Sequence, residues 1–178
     1  LFGQARLSVI GESYGKQPIR SYCGRYLMVF NGEIYNYKKL KINLSKKLSS
    51  NQIQSLSSDT RVFVECLSLY GIHNTIKKFA QGSFVVSIYD YLENKITIAN
   101  DNFAEKPLYY FFENNKFIFC SRLLPISNIF KMIPDRDSLK YSLLKVRNKF
   151  PNTIYKGINR LGPGQIIQID SEYNLNSK

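Results

Sequence analysis

The middle of the chain carries two strand pairs joined by short polar turns, and these pairs constrain the fold more than any other feature. Apolar and aromatic residues dominate Ser83–Tyr89 and Lys95–Ala99, with Leu92-Glu93-Asn94 between them. The arrangement recurs at Leu108–Phe112 and Lys116–Cys120, around Glu113-Asn114-Asn115. Short asparagine-containing loops between such runs are typical of hairpins. We therefore predict two antiparallel hairpins within a fold built on antiparallel sheets.

Helical patterns flank these hairpins. Residues from about Thr60 to Tyr70 repeat apolar side chains on one helical face. Arg25–Phe30 is almost continuously apolar, which is typical of a strand covered on both faces. Strand pairs alternating with helices predict stacked sheets covered by helices, an α+β layered domain. The other predicted elements are a strand at Ala5–Ile10, a helix from Tyr37 capped by Asn36, a short helix at His73–Phe79, a helix through Val146 capped by Asp137 and a strand at Gln165–Asp170.

The charge of the chain raises the alternative of a nucleic-acid-binding protein, because the formal net charge is +12. The densest lysine cluster, however, alternates with Tyr37, Leu40, Leu44 and Leu48 at helical spacing. This spacing predicts the solvated face of an amphipathic helix. The sequence contains no recognised nucleic-acid motif, so nucleic-acid binding is disfavoured. No apolar run approaches the length of a membrane span and no window resembles a signal peptide, so we expect a cytoplasmic protein without membrane contact.

The three cysteines, Cys23, Cys66 and Cys120, are odd in number, widely separated and set in apolar sequence. We expect them to be reduced core thiols rather than a disulfide framework. The sequence has a single histidine, His73, and no CxxC pair, which argues against a metal site. His73 is expected to lie near a helix junction.

The dipeptide Asn31-Gly32 directly follows the predicted apolar strand. Glycine lets the backbone approach a ligand closely, and an amide side chain beside a backbone N–H supplies two donors for an oxyanion. Asn-Gly is also a common turn dipeptide. On the dipeptide alone, the ordinary turn is the favoured interpretation.

The longer run Asn31-Gly32-Glu33-Ile34-Tyr35-Asn36-Tyr37 resembles the signature of the class II glutamine amidotransferase domain of asparagine synthases. Further matches follow in family order over nearly the whole chain. They are Gly3 to Ile10, Ser58-Asp59-Thr60, Asp101 with Glu105-Lys106-Pro107-Leu108-Tyr109-Tyr110, Pro151 to Ile158, and Leu161-Gly162-Pro163-Gly164.

This resemblance implies an N-terminal-nucleophile hydrolase fold, a four-layer αββα sandwich. In that family an N-terminal cysteine attacks the side-chain amide of glutamine and the free α-amino group serves as base. The sequence begins at Leu1 and Cys23 is internal, so we expect residues 1–170 to be the amidotransferase domain without its cysteine segment, incomplete at the N-terminus and inactive alone. Residues 171–178 are expected to begin a linker to an ATP-dependent synthetase domain.

The resemblance also implies a glutamine pocket. Asn31, through its side chain, and Gly32, through its N–H, would form the oxyanion hole. Arg6 would pair with the α-carboxylate of glutamine, and Glu33 and Asp59 would receive its α-amino group. Without the resemblance, Asp59 is equally well interpreted as a helix cap and Arg6 as a surface strand residue. The other implied pocket residues are Leu7, Val9 and Ile10, and Lys106 is interpreted as structural.

The parent protein implied by the resemblance supplies ammonia from L-glutamine for ATP-dependent amidation of aspartate to asparagine. Its partner would be the synthetase domain, which would hold ATP and Mg, with no cofactor in this chain; a homodimer is compatible with the resemblance. Two alternatives stay open: a non-catalytic amidotransferase-like binding module, and a homologue that amidates another carboxylate, such as a sugar acid. Both alternatives stay open because the sequence departs from the family pattern at four positions, Arg61, Asn100, Ala104 and Arg122.

Overall fold

The strands form two antiparallel sheets in the computed structural model, which describes residue 3, residues 16–145 and residues 151–177. In chain order they are β1 (Ile19–Arg20), β2 (Tyr26–Ile34), β3 (Gly82–Asp90), β4 (Lys95–Asn100), β5 (Tyr109–Glu113), β6 (Lys116–Cys120), β7 (Ile158–Arg160), β8 (Ile166–Ile169) and β9 (Leu175–Ser177). The larger sheet has the order β1-β2-β3-β4-β8-β9 and the smaller sheet the order β6-β5-β7.

The helices lie in two groups. The first follows β2 and consists of α1 (Tyr37–Ser45), α2 (Ser50–Gln54), α3 (Asp59–Tyr70), α4 (Ile72–Asn74) and a π-helical turn at Thr75–Phe79. The second follows β6 and consists of α5 (Leu123–Ile129) and α6 (Arg136–Lys145).

Side-chain alternation along the strands divides the described part of the interior into three apolar cores. Val86 packs in the core between the larger sheet and α1 and α3, whereas the preceding residue, Val85, packs between the two sheets. Tyr110 also lies between the sheets, and the next residue, Phe111, packs with Ile126 of α5 on the outer face of the smaller sheet. Three cores separate four layers, so the order is helix, sheet, sheet, helix. The predicted α+β sandwich is confirmed.

Both predicted hairpins are confirmed. Strand β3 pairs with β4, and β5 pairs with β6, in continuous antiparallel register. The turns contain Asn94, Asn114 and Asn115 at positive φ (49°, 50° and 58°). Asparagine is one of the residues that adopts this conformation most readily, which explains why these turns are visible in the sequence.

Several predicted boundaries are wrong. Strand β2 was expected to end at Phe30, but it continues through Asn31 and Gly32 to Ile34 because β3 pairs with it over this whole length. Asn36 precedes α1 but does not cap it, since its side chain binds Phe79 O and Gln81 N. The predicted cap of α6 is also wrong. The Asp135 carboxylate accepts the Ser138 N–H and caps the helix, so Asp137 lies inside its first turn.

Other predictions have mixed outcomes. The lysine-rich helix is confirmed as amphipathic, with Leu40 and Leu44 buried. His73 lies in α4, beside the π-helical turn. Cys66 is a buried thiol, but Cys23 is exposed, which corrects the expectation of three core thiols. The predicted strand Ala5–Ile10 and the helix end at Val146 fall outside the described residues.

Candidate active site

A cavity of about 1040 Å³ opens between the two sheets at β2 and β3. Along β2, Phe30 and Ile34 face the helices and are buried there, so alternation places Val29, Asn31 and Glu33 on the opposite face. All three line the cavity, and Asn31 and Glu33 are exposed to it. The cavity is large enough for a small-molecule ligand, and this wall presents an amide and a carboxylate side by side.

The outer edge of β2 presents a short row of backbone N–H groups. Phe30 N–H donates to Gln17 Oε1 (2.6 Å) and Ile34 N–H donates to Asp59 Oδ2 (3.1 Å). Gly32 lies between them and has the same strand parity, so its N–H belongs to the same edge. Its partner across the ladder, Phe84, directs both its N–H and its C=O away from β2, to Asp101 (2.9 and 3.0 Å). The Gly32 N–H therefore lies between two N–H groups that side chains hold in place.

Only glycine fits at position 32. Its φ is +142°, and a Cβ built there would lie 2.1 Å from Ser83 O and 2.6 Å from the Phe84 Cα. Both atoms belong to the backbone of the paired strand, which has little freedom to yield. The close approach of β2 and β3 thus excludes a side chain beside the cavity-facing Asn31.

Asp101 holds β3 close to β2 by binding the backbone of Phe84 on the side of β3 away from β2. The residue is 6% exposed, and its carboxylate accepts N–H groups from Phe84 (2.9 Å), Phe103 (2.7 Å) and Ala104 (3.1 Å). The turn it organises holds Ala104 at φ +51°. This conformation is costly for any residue with a Cβ, which accounts for the glycine that the resembling family usually has there.

Asp59 lies at the start of α3, but it is not the helix cap. Ser58 caps the helix, since its Oγ accepts the Arg61 N–H at 3.1 Å. The Asp59 carboxylate instead accepts N–H groups from Ile34 and from Thr60 (2.7 Å). The cap-only interpretation is therefore wrong. Each carboxylate oxygen keeps acceptor capacity, and Asp59 lines the same cavity as Glu33.

The structure brings together Asn31, Gly32, Glu33 and Asp59 on one cavity. The other predicted pocket residues, Arg6, Leu7, Val9 and Ile10, lie outside the described residues.

Other polar residues of the cavity wall were missed from the sequence, namely Gln17, Ser83, Glu105 and Arg122. Lys106, interpreted as structural, also lines the cavity, and its C=O accepts from Asn100 Nδ2 at 3.3 Å. Ser83 Oγ donates to Glu105 Oε2 at 2.7 Å, a contact that links β3 to the loop before β5. No spacing in the sequence marks these residues, because they meet only when the two sheets stack.

Arg61 departs from the family pattern for a local reason. Its guanidinium donates to Glu65 (3.0 Å), one helical turn away, and to Arg20 O (2.7 Å). Glu65 is 2% exposed, and its carboxylate also accepts the Tyr22 N–H. Burial raises the pKa of Glu65 above its ordinary value, although the hydrogen bonds from Arg61 and Tyr22 oppose the shift. Arg61 is thus the counter-ion of a buried carboxylate.

The described part of the chain has neither a metal-binding cluster nor a membrane-spanning helix. Residues 16–145 and 151–177 contain no group of three or more His, Cys, Asp or Glu side chains arranged to hold a metal ion. Within the same ranges, no helix has the length and apolarity needed to cross a membrane.

The fold and this cavity define a glutamine amidotransferase domain, and the model of that family matches residues 1–178. The chain belongs to this family. Among curated proteins it is similar to asparagine synthetase [glutamine-hydrolyzing] 2 of Bacillus subtilis (strain 168), with 34% identity over 122 residues, 68% of this chain and 15% of the relative. It is also similar to asparagine synthetase [glutamine-hydrolyzing] 1 of the same organism, with 28% identity over 99% of this chain and 27% of the relative.

Solved structures show the same fold. The allosteric regulatory enzyme of purine biosynthesis aligns with a TM-score of 0.58 and 18% identity, over 93% of this chain and 31% of that one. The glutamine phosphoribosylpyrophosphate amidotransferase of B. subtilis aligns with a TM-score of 0.55 and 19% identity, over 91% and 31%. These likenesses confirm the predicted N-terminal-nucleophile hydrolase fold. The chain spans between about a seventh and a third of the length of these relatives.

Proposed function

We propose that this chain is the glutamine-binding part of an asparagine synthase and serves to release ammonia from L-glutamine. The observation that carries the proposal is the grouping of Asn31, Gly32, Glu33 and Asp59 on one cavity wall. The oxyanion donors and ammonium acceptors implied by the resemblance thus occur together. The relatives named asparagine synthetase support the same assignment.

The oxyanion donors would be the Asn31 side-chain amide and the Gly32 N–H. When a nucleophile attacks the carboxamide of glutamine, its oxygen gains negative charge, and preorganised donors stabilise that charge more than the neutral substrate. One such donor is typically worth about 3–4 kcal/mol of transition-state stabilisation. The bonds that hold Phe30 and Ile34, on either side of Gly32, support this role for the Gly32 N–H.

The α-amino group of glutamine would be recognised by Glu33 and Asp59. Glu33 extends from the cavity face of β2, and Asp59 is held at the edge of the same strand by the Ile34 N–H. Two carboxylates near one ammonium group favour its charged form. Arg6 would pair with the α-carboxylate, and Leu7, Val9 and Ile10 would complete the pocket.

The nucleophile in this scheme is the N-terminal cysteine of the parent protein. Among the cysteines of this chain, Cys23 does not line the cavity, and Cys66 is buried in the helix-side core. Cys120 lies at the cavity but packs against the core under α5, and all three are internal residues without a free α-amino group. None of these three cysteines therefore takes the nucleophile's role in the proposal.

The rest of the reaction would belong to a linked synthetase domain of the parent protein. That domain would hold ATP and Mg and amidate aspartate; its presence, the homodimer and the cytoplasmic location are expectations drawn from the resemblance. Amidation of a different carboxylate remains the competing assignment for the parent.

Glutamine binding by this chain, measured by isothermal titration calorimetry, tests the proposal. We expect a saturable single site, at least about tenfold weaker binding after Glu33→Gln, and unchanged binding after Glu113→Gln, which alters an exposed carboxylate at the β5–β6 turn. In the parent protein, Asn31→Ala should lower kcat for glutamate release about 10²–10³-fold. Binding insensitive to Glu33, or a parent that releases no glutamate, would contradict the assignment.

A further inference from the structure

Gln17 occupies a distinctive position on the wall of the main cavity. It is partly buried, and its Oε1 accepts the Phe30 N–H at 2.6 Å. This bond holds the edge of β2 immediately before Asn31, as Asp59 holds it at Ile34. Gln17 lies 13 residues before Phe30 in sequence, so the contact is tertiary.

The nitrogen of the Gln17 side-chain amide, Nε2, is available to a ligand. Because Oε1 is the atom that accepts from Phe30, Nε2 is the branch that carries two N–H donors. Within residues 16–145 and 151–177, Nε2 has no hydrogen-bond partner. A partly buried amide with an uncommitted donor, facing a polar cavity, is suited to a ligand oxygen.

The strand geometry brings this donor near the Gly32 N–H. Backbone nitrogens two residues apart on one strand edge are separated by roughly 6.6–6.8 Å. Gln17 Oε1 lies beside the strand at 2.6 Å from the Phe30 nitrogen, and the two heteroatoms of an amide are themselves about 2.3 Å apart. An amide plane that runs along the edge towards Gly32 would leave Nε2 roughly 5 Å from the Gly32 nitrogen. Two donors at this separation can both reach one oxygen at ordinary hydrogen-bond distance.

We propose that Gln17 is a further substrate-binding residue, whose Oε1 fixes the β2 edge and whose Nε2 donates to the substrate oxygen held at the Gly32 N–H. This inference rests on the proposed function, because the oxygen is that of the glutamine carboxamide. Asn31, Gly32 and Gln17 then supply three donors around one position. Gln17 both positions the strand and contacts the ligand.

The substitution Gln17→Glu separates the two roles. A carboxylate still accepts the Phe30 N–H but has no donor for the substrate. We expect the Phe30 amide to keep its protection from hydrogen exchange, while the Kd for L-glutamine rises at least about tenfold. Gln54→Glu is the matched control, since it adds the same charge at an exposed position of α2 and should leave both quantities unchanged.

A second variant, Gln17→Met, removes both roles and should lower Phe30 protection as well as glutamine affinity. If the wild-type chain binds glutamine and Gln17→Glu binds it within twofold, the inference is wrong while the proposed function stands. If the wild-type chain binds no glutamine, the proposed function falls and the inference falls with it. Loss of Phe30 protection in Gln17→Glu equal to that in Gln17→Met would also overturn the separation of roles.

Discussion

Replacing Gly32 with alanine tests the close approach of β2 and β3. The new Cβ would lie 2.1 Å from Ser83 O, which is 1.3 Å inside the 3.4 Å where ordinary contact begins (3.4 − 2.1). Relief requires the paired backbones to separate, because the obstructing atoms are not at the end of a flexible side chain. Overpacking of this kind costs about 1–3 kcal/mol, and a non-glycine residue at such a φ costs about 1–3 kcal/mol more. The expected total is about 4 kcal/mol.

The assay is thermal unfolding followed by far-UV circular dichroism, since the chain has no tryptophan. A loss of about 4 kcal/mol corresponds to a Tm lowered by about 8–16 °C in a domain of this size. Gly71→Ala is the matched control. Gly71 also has positive φ (76°), but nothing lies within 4 Å of its added Cβ, so only the backbone cost of about 1–3 kcal/mol should remain. Equal costs at the two positions would refute the close-approach argument.

Three further perturbations test interactions that stabilise the fold. Ala104→Gly should stabilise the chain by about 0.5–1 kcal/mol, because φ +51° strains alanine; urea unfolding measures this, and a destabilised variant would contradict it. Arg61→Leu should destabilise by about 3–5 kcal/mol by leaving buried Glu65 without its cation, and adding Glu65→Gln should recover part of the loss; an unchanged midpoint for the single variant would count against the pair. Burial alone would raise the pKa of Asp90, but hydrogen bonds from Arg25 and two backbone N–H groups outweigh it and lower the pKa. Because the native pKa is lowered, the ionised carboxylate stabilises the fold above about pH 4, and this stabilisation is lost on acidification. Asp90→Asn should therefore have a lower free energy of unfolding than the wild type at about pH 5 and approach the wild type near pH 2. A difference in unfolding free energy that stays constant with pH would contradict this.

Sequence patterns were sufficient for the features that local chemistry specifies. The two hairpins follow from asparagines that tolerate positive φ, and α3 follows from apolar residues at helical spacing. The four-layer order follows from strand pairs alternating with helices, and the resemblance to amidotransferases specified it further. These features depend on residues close together in the chain.

Features that depend on tertiary contacts were not predictable in the same way. Asn31-Gly32 has the composition of a turn, yet both residues remain in β2 because β3 pairs alongside and the glycine permits close contact. Asp59 resembles a helix cap in sequence, but Ser58 takes that role and releases Asp59 to the strand edge. The position of Gln17 depends on a hydrogen bond across 13 residues, with no repeating pattern to mark it.

The departures from the family pattern separate into structural and site-related positions. Arg61 pairs with a buried carboxylate, and Ala104 occupies a strained turn next to Asp101. Asn100 is 1% exposed, and its Nδ2 reaches two backbone carbonyls. Arg122 instead lines the cavity rim at the start of α5. Of the four, Arg122 is the one placed to influence what enters the cavity.

The most direct test of the account is an NMR titration of the ¹⁵N-labelled chain with L-glutamine. The account predicts saturable shifts of the Gly32 backbone amide and the Asn31 side-chain amide, with little change along α1. Shifts confined to the lysine-rich α1, or none at Asn31 and Gly32 at high glutamine concentration, would contradict the claim that this cavity recognises glutamine.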